Sequence, residues 1–341
     1  MPKLASGQPF GSERLVQAIA HSVAALPERP EGLAVAVSGG PDSAMLAVHA
    51  SIFAQQEPLP LHFFYIHHGL QKPAEPWQAH VHDLAQYLRV PCHSLRIQVD
   101  LSRGDGVEAA ARDARYAALA RLSRQAGVDH ILLAHHRNDQ AETVLLRLLR
   151  GTGPTGLAAM APVARRQGLT YLRPWLNVDR AVILSLAGAF AELTGWRAVR
   201  DPANSDDKYT RSALRARLAP ELNQRWPGWQ RNLARHARQS AQVAQVLDEV
   251  CASDFAGLDP SEDGRSFSLA AWRELSPARQ ALVLRHWLAL FDQPMPSDAR
   301  LQDAMRQLRG LHAMGHDRQM RVRHGAVWIR CVKGRVILDQ G

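Results

Sequence analysis

The pattern of apolar and polar positions along the chain changes near residue 215. Before that point, short apolar runs alternate with longer stretches in which apolar residues recur at helical spacing. Strands that alternate with helices predict an α/β fold, in which a parallel sheet carries helices on both faces. The predicted strands are 33–37, 61–66, 92–97, 130–134 and 171–173, and the predicted helices are 42–55, 75–88, 107–126, 138–150 and 178–194.

Beyond residue 215 the alternation of strands and helices stops. Residues 226–256 have the periodicity of one long helix, residues 268–312 continue a helical pattern, and residues 318–338 alternate as strands do. We therefore predict a second, mainly helical domain. The predicted boundary lies between residues 217 and 218.

The composition is that of a globular protein, with 46% hydrophobic and 21% charged residues in a chain of 341. The formal net charge is +9. Such an excess favours a polyanionic partner, because neutralising phosphates releases their counterions. A charge that serves only solubility is the alternative.

The cysteines Cys92, Cys251 and Cys331 stand far apart in the sequence. Their spacing fits neither a disulfide framework nor a zinc site, so we expect a reduced, cytoplasmic protein. The N-terminal residues lack the long apolar core of a signal peptide, and no apolar run approaches the roughly 20 residues that span a bilayer. We therefore expect no membrane association.

A glycine-containing loop follows the first predicted strand and leads into a helix. Its glycines allow the backbone to approach a phosphate, and the helix start presents unpaired N–H groups. The loop lacks the lysine of a Walker motif and the spacing of a dinucleotide fingerprint, so it suits a grip on pyrophosphate. Asp42 could hold Mg²⁺, or it could cap the helix together with Ser43. The residues predicted to bind ATP here are Ser38, Gly39, Gly40, Pro41, Asp42 and Ser43.

This strand–loop–helix resembles the PP-loop ATP pyrophosphatases. The motifs at 65–70, 108–116 and 134–157, extended by Arg173-Pro174, 201–204 and 209–215, make the chain similar to the tRNA(Ile)-lysidine synthase family within that group. The resemblance is specific from about residue 33 to 220. It implies a PP-loop catalytic domain at 1–217 and a mainly helical, tRNA-binding domain at 218–341.

The resemblance also implies a reaction. ATP, with Mg²⁺, would adenylate the wobble cytidine of the isoleucine tRNA with a CAU anticodon, and free lysine would displace AMP to give lysidine. The product pairs with A instead of G, which changes the codon read from AUG to AUA and the amino-acid identity from methionine to isoleucine. A homodimer is an open alternative to a monomer.

Two helix faces carry candidate catalytic residues. At about 100° per residue, Glu108, Arg112 and Arg115 share one face, and Asp139, Glu142 and Thr143 share another. Arg112 and Arg115 could stabilise the charge of an adenylate, and Asp139 and Glu142 could hold lysine or Mg²⁺. Ion pairing on a solvated helix and negative charge at a helix start are the alternatives. The predicted catalytic residues are Asp42, Arg112, Arg115, Asp139 and Glu142.

Two histidine pairs, His67-His68 and His135-His136, end predicted strands. A zinc cluster is one interpretation, but adjacent pairs suit metal geometry poorly and no cysteine supports them. We expect His68 and His135 to line the nucleotide site, since α/β sheets bind ligands at the carboxyl ends of their strands. His136 could also accept a proton.

The sequence departs from the family pattern at three positions. Asn138 stands where Asp is usual, which leaves Asp139 as the carboxylate of that pair. Ala203 replaces a usual Ser and Ser212 a usual Asn. These two positions belong to the segment expected near the tRNA, so they bear on tRNA contact more than on ATP.

An arginine-rich stretch at 211–238, interleaved with Trp226 and Trp229, is the candidate tRNA surface. Arginine forks bind phosphates and stack on bases. A solvated helix whose tryptophans pack on the core is the alternative. The residues predicted to contact tRNA are Arg211, Arg215, Arg231 and Arg235.

Three other functions remain open from the sequence. A tRNA thiolase of the same ATP group generally needs catalytic cysteines or a cysteine-bound cluster, which three scattered cysteines do not provide. A small-molecule amidoligase would not need an arginine-rich second domain. A catalytically dead tRNA-binding module would not need an intact phosphate loop.

Overall fold

The computed structural model describes residues 8–67, 74–98, 107–199, 210–311 and 320–340. His68 and the 201–204 motif, both singled out above, lie outside these residues, as does the side chain of Glu108. The chain divides into two compact units, Met1–Ser240 and Ala241–Gly341. The predicted functional boundary between residues 217 and 218 stays a prediction.

The first unit alternates helices and strands, as the periodicity predicts. Its elements are α1 (Glu13–Ala24), β1 (Leu33–Ala36), α2 (Pro41–Gln56), β2 (Leu61–His67), α3 (Ala74–Leu88), β3 (Cys92–Arg96), α4 (Val107–Ala126), β4 (His130–Leu132), α5 (Arg137–Leu149), α6 (Pro154–Leu157), β5 (Val163–Arg166), β6 (Leu169–Leu172) and α7 (Arg180–Thr194). A second helical stretch ends the unit and consists of α8 (Thr210–Ala213), a π-helical turn (Leu214–Leu218), α9 (Ala219–Arg225) and the first part of α10 (Trp229–Ala256).

The sheet of this unit has the strand order β3-β2-β1-β4-β6-β5. The five strands from β3 to β6 are parallel, while β5 runs antiparallel to β6 at the edge. The sequence pattern did not predict β5, because a polar edge strand lacks an apolar run. Strand order reverses between β1 and β4, and α/β sheets bind ligands at such a point. The predicted α/β fold is confirmed.

Helices cover both faces of the sheet because alternate strand residues point to opposite sides. In β1, Val35 packs with α1, α2, α3 and α7 in one core cluster, whereas Ala34 packs with α4 in another. The middle of α2 is buried throughout, which explains its almost wholly apolar sequence. The phosphate loop that precedes α2 is therefore anchored by two deeply packed elements.

The second unit combines helices with a small antiparallel sheet. After the rest of α10 it contains β7 (Ser266–Ser268), α11 (Leu269–Glu274), α12 (Pro277–Leu290), α13 (Asp298–Gly310), β8 (Met320–His324), β9 (Val327–Val332) and β10 (Arg335–Gln340). The strand order is β7-β10-β9-β8, and Phe267, Trp272 and Trp287 fill its core. The predicted mainly helical domain with a strand-like tail is confirmed.

Among the helices that the structure describes, we find none with the length and apolar character that a bilayer span requires.

Candidate active site

The predicted phosphate loop connects β1 to α2 at the carboxyl edge of the parallel sheet. Gly39 has a φ of +84°, and a Cβ there would lie 3.3 Å from Val81 Cγ2, so a larger residue would be strained. α2 begins at Pro41 after an extended Gly40, and the first amides of a helix lack intrahelical acceptors. The loop therefore has the geometry of an anion site at the positive end of a helix.

Two serine hydroxyls close this loop. Ser43 Oγ donates to the carbonyl of Gly40 over 3.1 Å and lies 3.0 Å from Ser38 Oγ. The Ser38 N–H also donates to Ser43 Oγ, at 3.0 Å. Because the Ser43 proton goes to Gly40, the Ser38 hydroxyl is the donor between the two serines. Both predicted binding serines thus set the curvature of the loop.

Asp42, in the first turn of α2, is held by Arg180 at the start of α7. Arg180 Nε donates to Oδ1 over 3.2 Å, and its Nη2 donates to Oδ2 over 3.1 Å. Arg180 was missed from the sequence. The two residues are 138 positions apart, and no local pattern links them.

A reciprocal cap between His136 and Asp139 begins α5. The Asp139 N–H donates to His136 Nδ1 at 3.3 Å, and the His136 N–H donates to Asp139 Oδ2 at 3.1 Å. His136 Nε2 lies 3.4 Å from Asp139 Oδ2 and 3.6 Å from Asp42 Oδ1. Two carboxylates predicted from separate motifs, Asp42 and Asp139, therefore meet at one buried imidazole.

Arg215, in the π-helical turn, binds both predicted carboxylates of α5. Its Nε and Nη2 donate to Glu142 Oε1 and Oε2 at 2.7 and 2.8 Å, and Nη2 also reaches Asp139 Oδ1 at 3.0 Å. Burial opposes the charge of Arg215, but the hydrogen bonds and charge of Glu142, with Asp139, raise its pKa above the ordinary value. Arg211 donates to Thr143 Oγ1 at 2.8 Å. Two arginines predicted to contact tRNA thus lie among the predicted catalytic carboxylates.

A cluster of guanidinium groups surrounds His135, which precedes His136 at the start of α5. Arg173 Nε donates to His135 Nδ1 at 3.3 Å. Burial, and then the charges of Arg173, Arg115, Arg211 and Arg112, hold the pKa of His135 well below 6.5. His135 is therefore neutral at physiological pH, and its Nδ1 accepts while Nε2 carries the proton.

The predicted pair Arg112 and Arg115 belongs to this cluster. Arg112 Nη2 donates to the hydroxyl of Tyr116 at 3.2 Å. Burial lowers the pKa of Arg115, and the neighbouring positive charges of Arg112 and Arg211 add to that effect, while Tyr116 opposes it. Positive charges that crowd one another in this way favour an anionic ligand between them. Arg173 was not predicted as a site residue, although Arg173-Pro174 was one of the motifs on which the family resemblance rests.

No three His, Cys, Asp or Glu side chains gather as metal ligands within the described residues. A Mg²⁺ ion bound to a nucleotide needs only one or two protein carboxylates, since phosphates and water supply the remaining ligands. Asp42 offers carboxylate oxygens beside the phosphate loop and fits that requirement. The same oxygens pair with Arg180, so a cation would compete with the guanidinium.

The remaining predicted tRNA contacts, Arg231 and Arg235, are exposed on α10 one helical turn apart. Trp229 is buried, and its Nε1 donates to Asn223 Oδ1 at 2.9 Å. Trp226, in contrast, is 59% exposed. The core-packing alternative therefore describes Trp229, whereas Trp226 lies at the surface with the arginines.

Comparisons with known proteins extend over both units. Residues 12–222 match the family described as the PP-loop domain. Residues 267–337 match the one described as the TilS substrate binding domain. A tRNA(Ile)-lysidine synthase of Bordetella bronchiseptica is 59% identical over 321 residues, which cover 94% of this chain and 93% of that protein.

The chain belongs to the tRNA(Ile)-lysidine synthase family. A relative from Ralstonia nicotianae with the same name is 42% identical and is matched over 87% of this chain and 64% of its own length. The predicted family, and with it the assignment of the chain as an enzyme, is confirmed.

A solved structure shares the fold of part of the chain. The U34-tRNA thiolase NcsA from Methanococcus maripaludis, described with its 4Fe-4S cluster, superposes with a TM-score of 0.55 over 67% of this chain and 79% of its own. At 14% identity this similarity concerns the fold alone.

Proposed function

We propose that this chain uses ATP to join free L-lysine to the wobble cytidine of the isoleucine tRNA with a CAU anticodon, giving lysidine, AMP and pyrophosphate. The observation that carries the proposal is the meeting of the phosphate loop and the α5 carboxylates at His136, since Asp42 and Asp139 both lie within 3.6 Å of its Nε2. A phosphate-binding loop and groups that can hold an amine then share one site.

In the first step, the phosphate loop holds the triphosphate with its helix N-terminus. The carbonyl oxygen of cytidine attacks the α-phosphorus, an adenylated cytidine forms, and pyrophosphate leaves. The guanidinium cluster that includes Arg112 and Arg115 offsets the negative charge that develops. Neutral His135 lies in the same cluster and can donate a hydrogen bond from Nε2 to this charge, because its Nδ1 accepts from Arg173. Bound Mg²⁺, with Asp42 as a ligand, would supply further charge stabilisation.

In the second step, the ε-amine of lysine attacks the activated base carbon and AMP leaves. The amine must lose a proton before it can attack. Asp139 and Glu142 form an acidic pair at the start of α5, where they can hold the ammonium group and accept that proton. Arg215 orients both carboxylates through its bonds at 2.7 to 3.0 Å.

The tRNA is the polyanion that the net charge of +9 favours. We assign Arg231 and Arg235 to phosphate contacts, because both are exposed on one helix. Arg211 and Arg215 bring this arginine-rich segment to the catalytic carboxylates, so tRNA bound to the segment would approach the site. A cytoplasmic location and a homodimer are compatible with this function and stay predictions.

Incubation with ATP, radiolabelled lysine and total tRNA tests the proposal. We expect lysine to enter one isoleucine tRNA, with one AMP and one pyrophosphate released for each lysine. Omission of ATP, or replacement of the tRNA by an unmodified transcript whose wobble base is uridine, should abolish incorporation. Release of AMP without incorporation of lysine would refute the ligation.

The same assay separates the other functions considered. A thiolase would incorporate sulfur, but burial raises the pKa of Cys92 to about 11, and burial also raises the pKa of Cys251 and Cys331, which makes poor nucleophiles of all three thiols. An amidoligase would consume ATP without tRNA. A binding module without catalysis would retain the tRNA and release no AMP.

A further inference from the structure

His136 uses one ring nitrogen to cap α5 and leaves the other between two carboxylates. Its side chain is 3% exposed, and Nε2 lies 3.6 Å from Asp42 Oδ1 and 3.4 Å from Asp139 Oδ2. Asp42 starts the helix after the phosphate loop, and Asp139 lies in the first turn of α5. The imidazole therefore spans the starts of two different helices.

The hydrogen bonds of His136 determine its tautomer. Nδ1 accepts from the backbone N–H of Asp139 at 3.3 Å, so Nδ1 carries no proton. The ring then carries a proton on Nε2, which faces the carboxylates of Asp42 and Asp139 at 3.6 and 3.4 Å. In this arrangement His136 faces both carboxylates as a donor, and the proton-acceptor role considered from the sequence stays a prediction.

The carboxylate of Asp139 continues the connection. Its Oδ2 faces His136, while its Oδ1 accepts from Arg215 Nη2 at 3.0 Å. Arg215 also binds Glu142 through two bonds and lies in the π-helical turn Leu214–Leu218. π-helical turns inside helices occur frequently at functional sites.

A helix cap alone does not explain this arrangement. The cap requires Nδ1 and the backbone, and serine or aspartate performs it more commonly than histidine. The contact of Nε2 with Asp139 involves Oδ2, the oxygen that also completes the cap, but its contact with Asp42 Oδ1 at 3.6 Å lies outside the cap. A donor buried between two carboxylates reduces their mutual repulsion and sets their separation.

We propose that His136 is a positioning residue whose Nε2–H holds Asp42 and Asp139 together and thereby couples ATP binding at the phosphate loop to tRNA binding at the Arg215 segment. The coupling rests on the proposed function, since it requires that both ligands bind. A ligand that binds the Asp42 carboxylate changes the interaction of the His136 Nε2–H with Asp42 and therefore with Asp139. The attraction between the Asp139 carboxylate and the Arg215 guanidinium changes as a result. By linkage, the tRNA must then alter ATP affinity by the same factor as ATP alters tRNA affinity.

Substitutions can separate the two ring nitrogens. In His136→Asn the amide oxygen replaces Nδ1, which preserves the cap and leaves no donor at the Nε2 position. In His136→Ser the hydroxyl also preserves the cap, and it provides a second test in case the asparagine variant does not fold. In His136→Gln the amide nitrogen reaches the Nε2 position and preserves the donor. His82→Asn is the matched control. His82 lies on α3, outside the site, and its Nε2 is 2.6 Å from Ser94 Oγ.

The measurement is the affinity of the full chain for a non-hydrolysable ATP analogue, with and without the CAU-anticodon tRNA. We expect the tRNA to tighten analogue binding about tenfold in the wild-type enzyme, within the range of known allosteric couplings. His136→Asn and His136→Ser should reduce this factor to about one, while His136→Gln and His82→Asn should keep it within about threefold of wild type. Wild-type coupling in the asparagine and serine variants would overturn the proposal.

Equal loss of coupling in the glutamine and asparagine variants would also overturn it, because the donor that glutamine keeps would then not carry the effect. The proposed function fails in a different way. A wild-type chain that binds the analogue but incorporates no lysine refutes the ligation and leaves the coupling measurable. A wild-type chain that binds no analogue refutes both.

Discussion

Arg180 binds the carboxylate of Asp42 through two hydrogen bonds, Nε to Oδ1 at 3.2 Å and Nη2 to Oδ2 at 3.1 Å. A bidentate pair of this kind fixes the plane of the carboxylate as well as its charge. Asp42 is consequently oriented before any nucleotide arrives, and a cation that binds it must compete with the guanidinium. We therefore expect the negative charge of Asp42 to contribute more to the reaction than the volume of its side chain.

Asp42→Asn should reduce pyrophosphate release by about 100-fold or more, because the isosteric amide removes the charge that faces the nucleotide. The dissociation constant for tRNA should stay within about twofold, since the phosphate contacts lie elsewhere. Pyrophosphate release and filter binding measure the two quantities. Asp83→Ala, on the exposed side of α3, is the control. Normal turnover of Asp42→Asn would remove Asp42 from the mechanism.

Gly39→Ala should weaken ATP binding by about tenfold or more, because a Cβ at a φ of +84° is strained and would lie 3.3 Å from Val81. Gly188→Ala in α7 is the matched control. At Gly188 no described atom lies within 4 Å of the added Cβ, so this change should stabilise the helix by up to about 1 kcal/mol. Calorimetric titration with an ATP analogue measures the first effect and thermal unfolding the second. Equal ATP affinity in the two variants would contradict the role given to Gly39.

Arg215→Ala should lower the free energy of unfolding by about 3 kcal/mol, because it leaves the buried carboxylate of Glu142 without its partner. The double variant Arg215→Ala/Glu142→Gln should recover much of this loss, since the glutamine is uncharged. Lysine incorporation should remain absent in both, because neither keeps the oriented carboxylate pair. Urea unfolding and the incorporation assay separate stability from function. Recovery of activity in the double variant would show that Arg215 and Glu142 serve stability alone.

Arg231→Ala/Arg235→Ala should weaken tRNA binding and reduce the slope of log K against log salt by about two, one for each phosphate that is no longer neutralised. Arg121→Ala/Arg124→Ala removes two exposed arginines at the far end of α4, which leads to the amino edge of the sheet. It should leave the slope unchanged. Binding measured across a salt series tests both, and identical slopes for the two double variants would exclude Arg231 and Arg235 as phosphate contacts.

His49 should make the first unit sensitive to acid. It is fully buried in α2, and burial lowers its pKa from 6.5 to about 4, against the opposing effect of the bond from Nδ1 to the Met45 carbonyl. The unfolded chain therefore takes up this proton first as the pH falls. The free energy of unfolding should decrease between pH 6.5 and about 4, by up to about 3 kcal/mol from this group.

Urea unfolding at several pH values within that window measures the effect. His49→Gln cannot titrate and should flatten the pH dependence of the first unit. His21→Gln, at an exposed position of α1, should leave it unchanged. An unaltered pH dependence in the His49 variant would show that other groups dominate acid unfolding.

Much of the fold could be predicted from the sequence because its signals are local. Apolar runs and helical periodicity predicted the strands of the parallel sheet and the long helix α10, since both depend on spacing within one segment. The edge strand β5 was missed because half of it faces solvent. Gly39 indicated the phosphate loop in the sequence. The structure explains why glycine stands there, because its φ is +84° and a Cβ would lie 3.3 Å from Val81 Cγ2.

The partners of the site residues were decided only by the tertiary structure. The sequence by itself determined that Asp42, Asp139 and Arg215 carry charge at the starts of or within helices, and that the chain resembles an ATP-dependent family. It could not show that Arg180 binds Asp42, that Arg215 binds the α5 carboxylates, or that His136 lies between two of them. These pairs join residues from distant segments, and their energies depend on burial and on distances of about 3 Å, which exist only when the helices pack at the edge of one sheet.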